Sequence, residues 1–203
     1  MSTTMSLEQR VSMLFKLLEA GSKKEYIAGK VTKLDHDLQV AHLAKNEGAD
    51  EQTVLAALFL DIGHTVIQEK TLLSQYHYDP LDRLVGNTIT SSPTDYGRVG
   101  AEYLRILGFP EKMTGLFNHD VMAKRYLLAT DPTYQAYLNS ISMESYKVQG
   151  SPLSPTEIRE YEKDPLFQKM VQIRKWGAIV AYNRVKPPAL DTYRDMIIKN
   201  MSK

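Results

Sequence analysis

Apolar positions recur along this chain at helical spacing, and helix-end signals separate one amphipathic segment from the next. Ser6 and Gln9 have the spacing of a capping box, and Gly21 is a suitable terminator. The apolar face between them consists of Leu7, Val11, Leu14, Leu17 and Leu18. We therefore predict a first helix that starts directly after Ser6.

The same criteria predict further helices over 35–47, 50–60, 94–107, 110–128, from Ser154, and from Asp164 to about 185. The segment 50–60 is apolar on every side, which places it at the centre of the fold. Residues 68–93 lack periodicity and form the one long irregular insert. No segment has convincing strand alternation. We predict an all-α fold, a single domain over 1–203 with a core at about 7–185 and roughly eight or nine helices in an irregular bundle.

Composition narrows the function without defining it. The chain has 203 residues, 25 basic and 24 acidic, with a formal net charge of +1. This balance gives no electrostatic reason to expect nucleic acid or an anionic membrane as a partner. The absence of cysteine excludes disulfides and thiolate metal sites. We find no signal peptide and no apolar run long enough to span a membrane, and expect a cytoplasmic protein, monomer or homodimer.

Several unusual sequence blocks carry a family resemblance. They are KLDHDLQVA around His36, ALFLDIGHTV around Asp61, and further along GAEYLRILGFPEK, AKRYLLATDPTY, DPLFQKM and RKWG. Together they resemble the mixed-valence diiron oxygenases of the HD superfamily, which cleave hydroxyphosphonates. The resemblance covers roughly residues 7–184 and implies the helical HD fold.

The resemblance also implies where metal ligands belong, and most of those positions have changed. His36 and Asp61 keep the expected ligand type. The other four ligand positions fall on Leu60, Tyr96, Asp120 and Gly177. Tyr26 matches a gating tyrosine, whereas Gly29 stands where its glutamate partner belongs. We therefore expect no metal and no other cofactor, because a two-metal cluster needs more ligands than remain.

The substrate side of the family's site is better preserved. Lys124 matches the lysine that holds the substrate's anionic group, and Ser142 and Ser145 match the hydroxyl pair beside it. His64 matches a histidine near the substrate. The resulting candidates are catalytic Lys124, His64, Tyr26, Tyr96 and Asp120, and substrate-binding Ser142, Ser145, Leu60, His36 and Asp61.

Each of these residues also has a purely structural alternative. Asp120 and Lys124 are four apart and suit a surface ion pair. Asp61 suits a helix cap. Core packing or a buried hydrogen bond is the alternative for His36, His64 and Tyr96.

These observations leave three hypotheses open. The first is a metal-independent enzyme that uses the altered pocket for isomerisation or cyclisation of a small organic molecule, for which a carboxylate-bearing substrate and a natural-product pericyclase are options. The second is a non-catalytic ligand-binding HD pseudoenzyme. The third is a residual metal-dependent oxygenase or phosphohydrolase that uses His36, Asp61 and Asp120.

Overall fold

The computed structural model describes residues 5–22, 25–27, 31–87, 95–138, 148–182 and 185–201. Their α-helices are α1 (Leu7–Gly21), α2 (Lys33–Asn46), α3 (Glu51–Leu58), α4 (Ile62–Gln68), α5 (Lys70–Ser74), α6 (Asp79–Asn87), α7 (Tyr96–Ile106), α8 (Glu111–Thr114), α9 (Asp120–Thr130), α10 (Pro132–Ala136), α11 (Pro155–Tyr161), α12 (Pro165–Tyr182) and α13 (Arg194–Asn200). Two 3-10 helices span Gly115–His119 and Leu190–Tyr193. The predicted all-α class is confirmed.

Local capping signals predicted helix starts well. The Ser6 side chain accepts from Gln9 N, and the Gln9 side chain accepts in return from Ser6 N, as a capping box requires. Ser154 and Glu157 form the same reciprocal pair at the start of α11. The Asp50 side chain accepts from Thr53 N at the start of α3.

Three sequence predictions of secondary structure were wrong. The described part of the segment 68–93 contains α5 and α6 rather than an irregular insert. The single helix predicted over 110–128 is divided into α8, a 3-10 turn and α9. A small antiparallel hairpin, β1 (Glu25–Ile27) with β2 (Val31–Thr32), precedes α2 where no strand was predicted. Strands this short contain too few residues for an alternating pattern to be recognised.

The core lies where α2, α3, α4, α7, α9 and α12 pack against one another. As predicted, α3 is buried on every side, from Thr53 to Leu58. Ile197 and Met201 also belong to the core, beyond the predicted limit at residue 185. Among the described residues, no helix has the length and apolar character needed to cross a bilayer.

Helices α4 and α7 cross with almost no space between their backbones. A Cβ atom on Gly63 would overlap the carbonyl group of Tyr96, and one on Gly100 would lie 2.9 Å from Ile62 Cγ2. Only glycine allows this approach, because any larger residue would push the helices apart. The contact fixes the start of α7 next to the turn between α3 and α4.

Candidate metal and anion site

A buried group of three possible metal ligands lies between α2 and α4. His36 and Asp37 lie near the start of α2, and Asp61 directly precedes α4. His36 Nδ1 lies 3.2 Å from Asp37 Oδ1 and 3.9 Å from Asp61 Oδ2. One ligand atom from each residue lies within 4.8 Å of the others. These separations are short enough for all three atoms to converge on one ion.

The local structure holds each of these side chains in place. Thr32 caps α2 by accepting from Asp35 N, which orients the first turn of the helix. Asp61 stands at the N-cap position of α4 but makes no capping hydrogen bond there, so the structural alternative of a helix cap is wrong. Its Oδ2 atom is buried without a hydrogen-bond partner. A buried carboxylate oxygen without a partner is a feature that requires explanation.

The orientation of His36 is fixed from the other side of its ring. His36 Nε2 donates to the backbone carbonyl of Gly177, at 3.0 Å. This hydrogen bond assigns a proton to Nε2, and it points Nδ1 at the carboxylates of Asp37 and Asp61. Histidines that bind metal commonly donate their second ring N–H to a backbone carbonyl in this way.

The electrostatics of the group favour a cation between its members. Burial opposes protonation of His36, but the hydrogen bond to Asp37 and the charges of Asp37 and Asp61 together raise its pKa. Burial and the nearby charge of Asp61 raise the pKa of Asp37 to about 7. Burial also opposes ionisation of Asp61, yet the His64 imidazole, Arg174, His36 and Lys33 hold its pKa well below the usual range. Two carboxylates this close in a buried site repel each other unless a positive charge lies between them.

The resemblance implies two further metal ligands at positions 60 and 177, which are occupied here by Leu60 and Gly177. Leu60 is buried, with 5% of its surface exposed. A Cβ atom on Gly177 would lie 3.1 Å from Leu60 Cδ2 and 3.7 Å from His36 Cε1. The leucine side chain therefore takes the space that a longer side chain at position 177 would need.

A second buried cluster joins α9 to α12. Asp120, the first residue of α9, accepts from Arg174 through Oδ1 and from Lys124 through Oδ2, the latter at 3.0 Å. The side chains of Lys124 and Arg174 are each 12% exposed, and that of Asp120 is 8% exposed. The predicted pair of Asp120 and Lys124 is present, but it is buried rather than on the surface. We call Asp120, Lys124 and Arg174 the ion triad.

The charges of the ion triad depend on one another. Burial opposes ionisation of Asp120, but Arg174 and Lys124 outweigh it and lower the pKa of its carboxyl. Burial and the neighbouring Arg174 lower the pKa of Lys124, against the attraction of Asp120. Because both Asp120 oxygens already accept from cations, Asp120 is a poor metal ligand.

His64 and Tyr96 lie against each other beside Asp61. Their ring centroids are 3.6 Å apart, at an interplanar angle of 35°. Burial lowers the pKa of His64 to about 4, so the imidazole is neutral near pH 7. The pair can therefore supply a neutral polar surface next to Asp61.

The described residues bring together most of the predicted site. The His36 group, the ion triad, Leu60 and the stacked pair all belong to one buried region. Tyr26 lies in β1, but its side chain is not described, and Ser142, Ser145 and Gly29 lie outside the described residues. Sequence reasoning missed two residues, Asp37 and Arg174. An HD dipeptide at His36–Asp37 was the available signal for the first, whereas nothing local marked the second.

The donor set fits one metal ion and does not fit two. One imidazole and two carboxylates suit a single divalent ion such as iron or manganese. Two observations favour this fit. Asp61 Oδ2 has no hydrogen-bond partner, and the His36 ring is held through Nε2 by the Gly177 carbonyl. A second ion finds Leu60, Tyr96 and Gly177 in place of donors, and Asp120 is already engaged.

Comparison with known proteins gives relatives across most of the chain, although no family model matches. Hydroxymethylphosphonate dioxygenase of Gimesia maris is 32% identical over 185 residues, 91% of this chain and 85% of its own length. A glycine-betaine-forming [1-hydroxy-2-(trimethylamino)ethyl]phosphonate dioxygenase of Leisingera caerulea is 32% identical over 74% of this chain and 69% of its own. An uncharacterized protein of Acanthamoeba polyphaga mimivirus is 28% identical over 96% of this chain and 83% of its own. The extent of the first match means that this chain belongs to the HD-domain oxygenase family of hydroxymethylphosphonate dioxygenase.

Proposed function

We propose that this protein binds one divalent metal ion through His36, Asp37 and Asp61, and acts on a small anionic organic molecule as a metal-dependent oxygenase. The observation that carries the proposal is the convergence of three buried donors, within 4.8 Å of one another, one of which is an Asp61 oxygen without a hydrogen-bond partner. This departs from the metal-free pocket expected from sequence. The change arises from Asp37, a donor that the family alignment of ligand positions did not include.

Burial makes the metal the best explanation for the group. An uncompensated carboxylate in a buried site costs several kcal/mol, and two of them side by side cost more. Within the group, a protonated His36 supplies one positive charge to Asp37 and Asp61. The charge of Lys33 also acts on both aspartates, and that of Arg174 acts on Asp61. A divalent ion supplies two positive charges, and it also gives Asp61 Oδ2 a partner.

The residues around the donors have distinct tasks in this proposal. A bound ferrous ion would supply dioxygen activation and a Lewis-acid position for a substrate oxygen. His36 is held by the Gly177 carbonyl, so its Nδ1 stays directed at the ion position. Leu60 keeps water from that side. His64, neutral near pH 7, can accept or donate a hydrogen bond without adding charge.

The proposal that the substrate is anionic depends on the two cations of the ion triad. Lys124 and Arg174 are buried cations with slight exposure, and together they exceed the charge of Asp120. Buried lysine and arginine side chains commonly hold carboxylate or phosphate groups. Two relatives of this chain are named for phosphonate substrates, which are small anions. No comparison supports the alternative of a metal-independent cyclase.

The test begins with metal content. Protein purified from cells supplemented with iron and manganese is analysed for metal after gel filtration, for wild type, His36→Ala and His42→Ala. His42 lies on the same helix α2, where it contacts Asn46, and is the matched control. We expect about one ion per chain in wild type and His42→Ala, and background metal in His36→Ala. Asp37→Asn is expected to weaken metal affinity at least about tenfold.

Activity is then measured as metal-dependent oxygen uptake with hydroxymethylphosphonate and with glycolate. Uptake that is lost in His36→Ala and kept in His42→Ala supports the proposal. Metal content that is absent, or equal in wild type and His36→Ala, overturns it. Metal retained without oxygen uptake on any small anion would leave the non-catalytic binding protein as the better description.

A further inference from the structure

The ion triad holds an internal carboxylate at the point where two cations meet. Asp120 and Lys124 face each other across one turn of α9, and Arg174 approaches from α12. Each oxygen of Asp120 is taken by a different cation. An incoming anion that contacts Lys124 or Arg174 therefore meets the Asp120 carboxylate as its immediate neighbour.

The charge of this cluster follows directly from its members. Lys124 and Arg174 contribute two positive charges and Asp120 one negative charge, because the cations hold the aspartate ionised. The net charge of the triad is thus +1. Asp61 also interacts with Arg174 and Lys124, but in the proposed function its charge and that of Asp37 are compensated by the bound metal ion. A singly charged head group matches the triad, whereas a doubly charged one leaves an uncompensated negative charge in a buried place.

We infer that Asp120 sets the charge of the head group that this site accepts, and that the substrate is a monoanion such as a carboxylate rather than a phosphonate dianion. The inference rests on the proposed function, since it assigns the substrate class of that same site. It sets this chain apart from the phosphonate substrates for which two of its relatives are named. Asp120 acts here as a specificity-determining residue and not as a metal ligand.

The magnitude comes from Coulomb's law. Two charges a few ångström apart in a partly buried site interact strongly enough to change affinity by on the order of tenfold or more. A dianion experiences the repulsion from Asp120 and the attraction of the two cations twice over relative to a monoanion, but its desolvation cost rises more steeply with its charge. Removing the Asp120 charge should therefore strengthen binding of a dianion more than binding of a monoanion. Lys124 has three N–H bonds, of which Asp120 takes one, so it can still receive a carboxylate.

The experiment compares acetate with methylphosphonate, two probes that share a methyl group and differ in charge. Both are titrated at a mildly alkaline pH, where acetate carries one negative charge and methylphosphonate two, and the methyl resonances report binding by NMR. The protein is used loaded with Zn²⁺, which leaves the resonances sharp, and again after chelation. Either probe can bind Zn²⁺ through a head-group oxygen, so the chelated protein is the form that reports on the head-group position alone, and the zinc-loaded protein shows what the metal adds.

We expect wild type to bind acetate more tightly than methylphosphonate. Asp120→Asn should lower the Kd for methylphosphonate by about tenfold or more, and that for acetate by less. Asp191→Asn is the matched control, because it removes an arginine-paired carboxylate that is 73% exposed. This control should leave both affinities unchanged.

A wild-type protein that prefers methylphosphonate, or binds neither probe, overturns the inference. So does an Asp120→Asn protein with an unchanged ratio of affinities. If Asp120→Asn does not fold, the wild-type ratio alone decides. The outcome is separable from that of the proposed function, because the effect of Asp120→Asn on the ratio of affinities is measured within the chelated protein, whatever metal the wild type retains.

Discussion

Replacing Arg174 by methionine tests whether the ion triad stabilises the fold. Methionine retains an unbranched apolar stem but removes the guanidinium, leaving Asp120 with Lys124 as its remaining cation in the triad. The aspartate is 8% exposed, so water cannot replace the lost partner. The variant therefore retains a buried carboxylate that has lost one of its two compensating cations.

The size of the effect follows from the cost of breaking a buried ion pair. Removing one partner typically costs about 3–5 kcal/mol, and Lys124 should keep the loss near the lower end. For a chain of this length, a loss of about 3 kcal/mol lowers Tm by about 6–12 °C. Lys124, freed from the repulsion of Arg174, should regain a higher pKa.

The assay is urea and thermal unfolding, followed by far-ultraviolet circular dichroism. Arg105→Met is the matched control, since Arg105 makes a two-pronged pair with the exposed Glu111. Surface pairs contribute little, so this control should shift Tm only marginally. If Arg174→Met and Arg105→Met lose the same small stability, the assignment of the triad as a buried, mutually compensated unit is refuted.

Three further predictions concern packing, metal and pH. The double variant Leu60→His/Gly177→Asp should raise metal affinity at least about tenfold in a chelator competition. Gly177→Asp alone should not, because the Leu60 side chain crowds position 177. Equal gains in the two variants would contradict this steric explanation. Gly63→Ala should lower the free energy of unfolding in urea by about 1–3 kcal/mol or more, because the added Cβ would overlap a carbonyl of α7. Gly86→Ala is the control: its Cβ would enter open space, so the change should be neutral or stabilising. Because the pKa of Asp120 is lowered in the folded protein, its ionised carboxylate contributes stability above pH 3.8, the ordinary pKa of the group, and this stability is lost as the pH falls further. Asp120→Asn should therefore reduce the slope of stability against pH on the acid side. An unchanged acid slope would argue against a lowered pKa for Asp120.

The predictable parts of this molecule are those encoded by neighbours in sequence. Helix starts at Ser6, Asp50 and Ser154 depend on hydrogen bonds between residues three apart, and all three form as expected. The burial of α3 follows from its unbroken apolar composition. His36 and Asp61 were found because sequence blocks around them resemble a family, which is also local information.

The parts that escaped prediction depend on distant partners. In the sequence RKWG, Arg174 has the character of a charged residue on the protein surface. Only its contact with Asp120, 54 residues earlier, shows that it belongs to a buried ion cluster. Asp37 follows His36 on a helix, where adjacent residues normally face different directions. Here both are buried, because α2 is covered by other helices on more than one side. Burial on several sides cannot be read from periodicity alone.

The contact between Leu60 and Gly177 has a consequence for evolution within this family. The two positions lie on different segments, but the space available at one is determined by the residue at the other. A mutation that introduces a carboxylate at 177 is disfavoured while leucine is present at 60, and shrinking 60 first opens a cavity. Changing the two residues one at a time therefore passes through a less stable protein in either order. Such interdependence favours the inheritance of Leu60 and Gly177 as a pair.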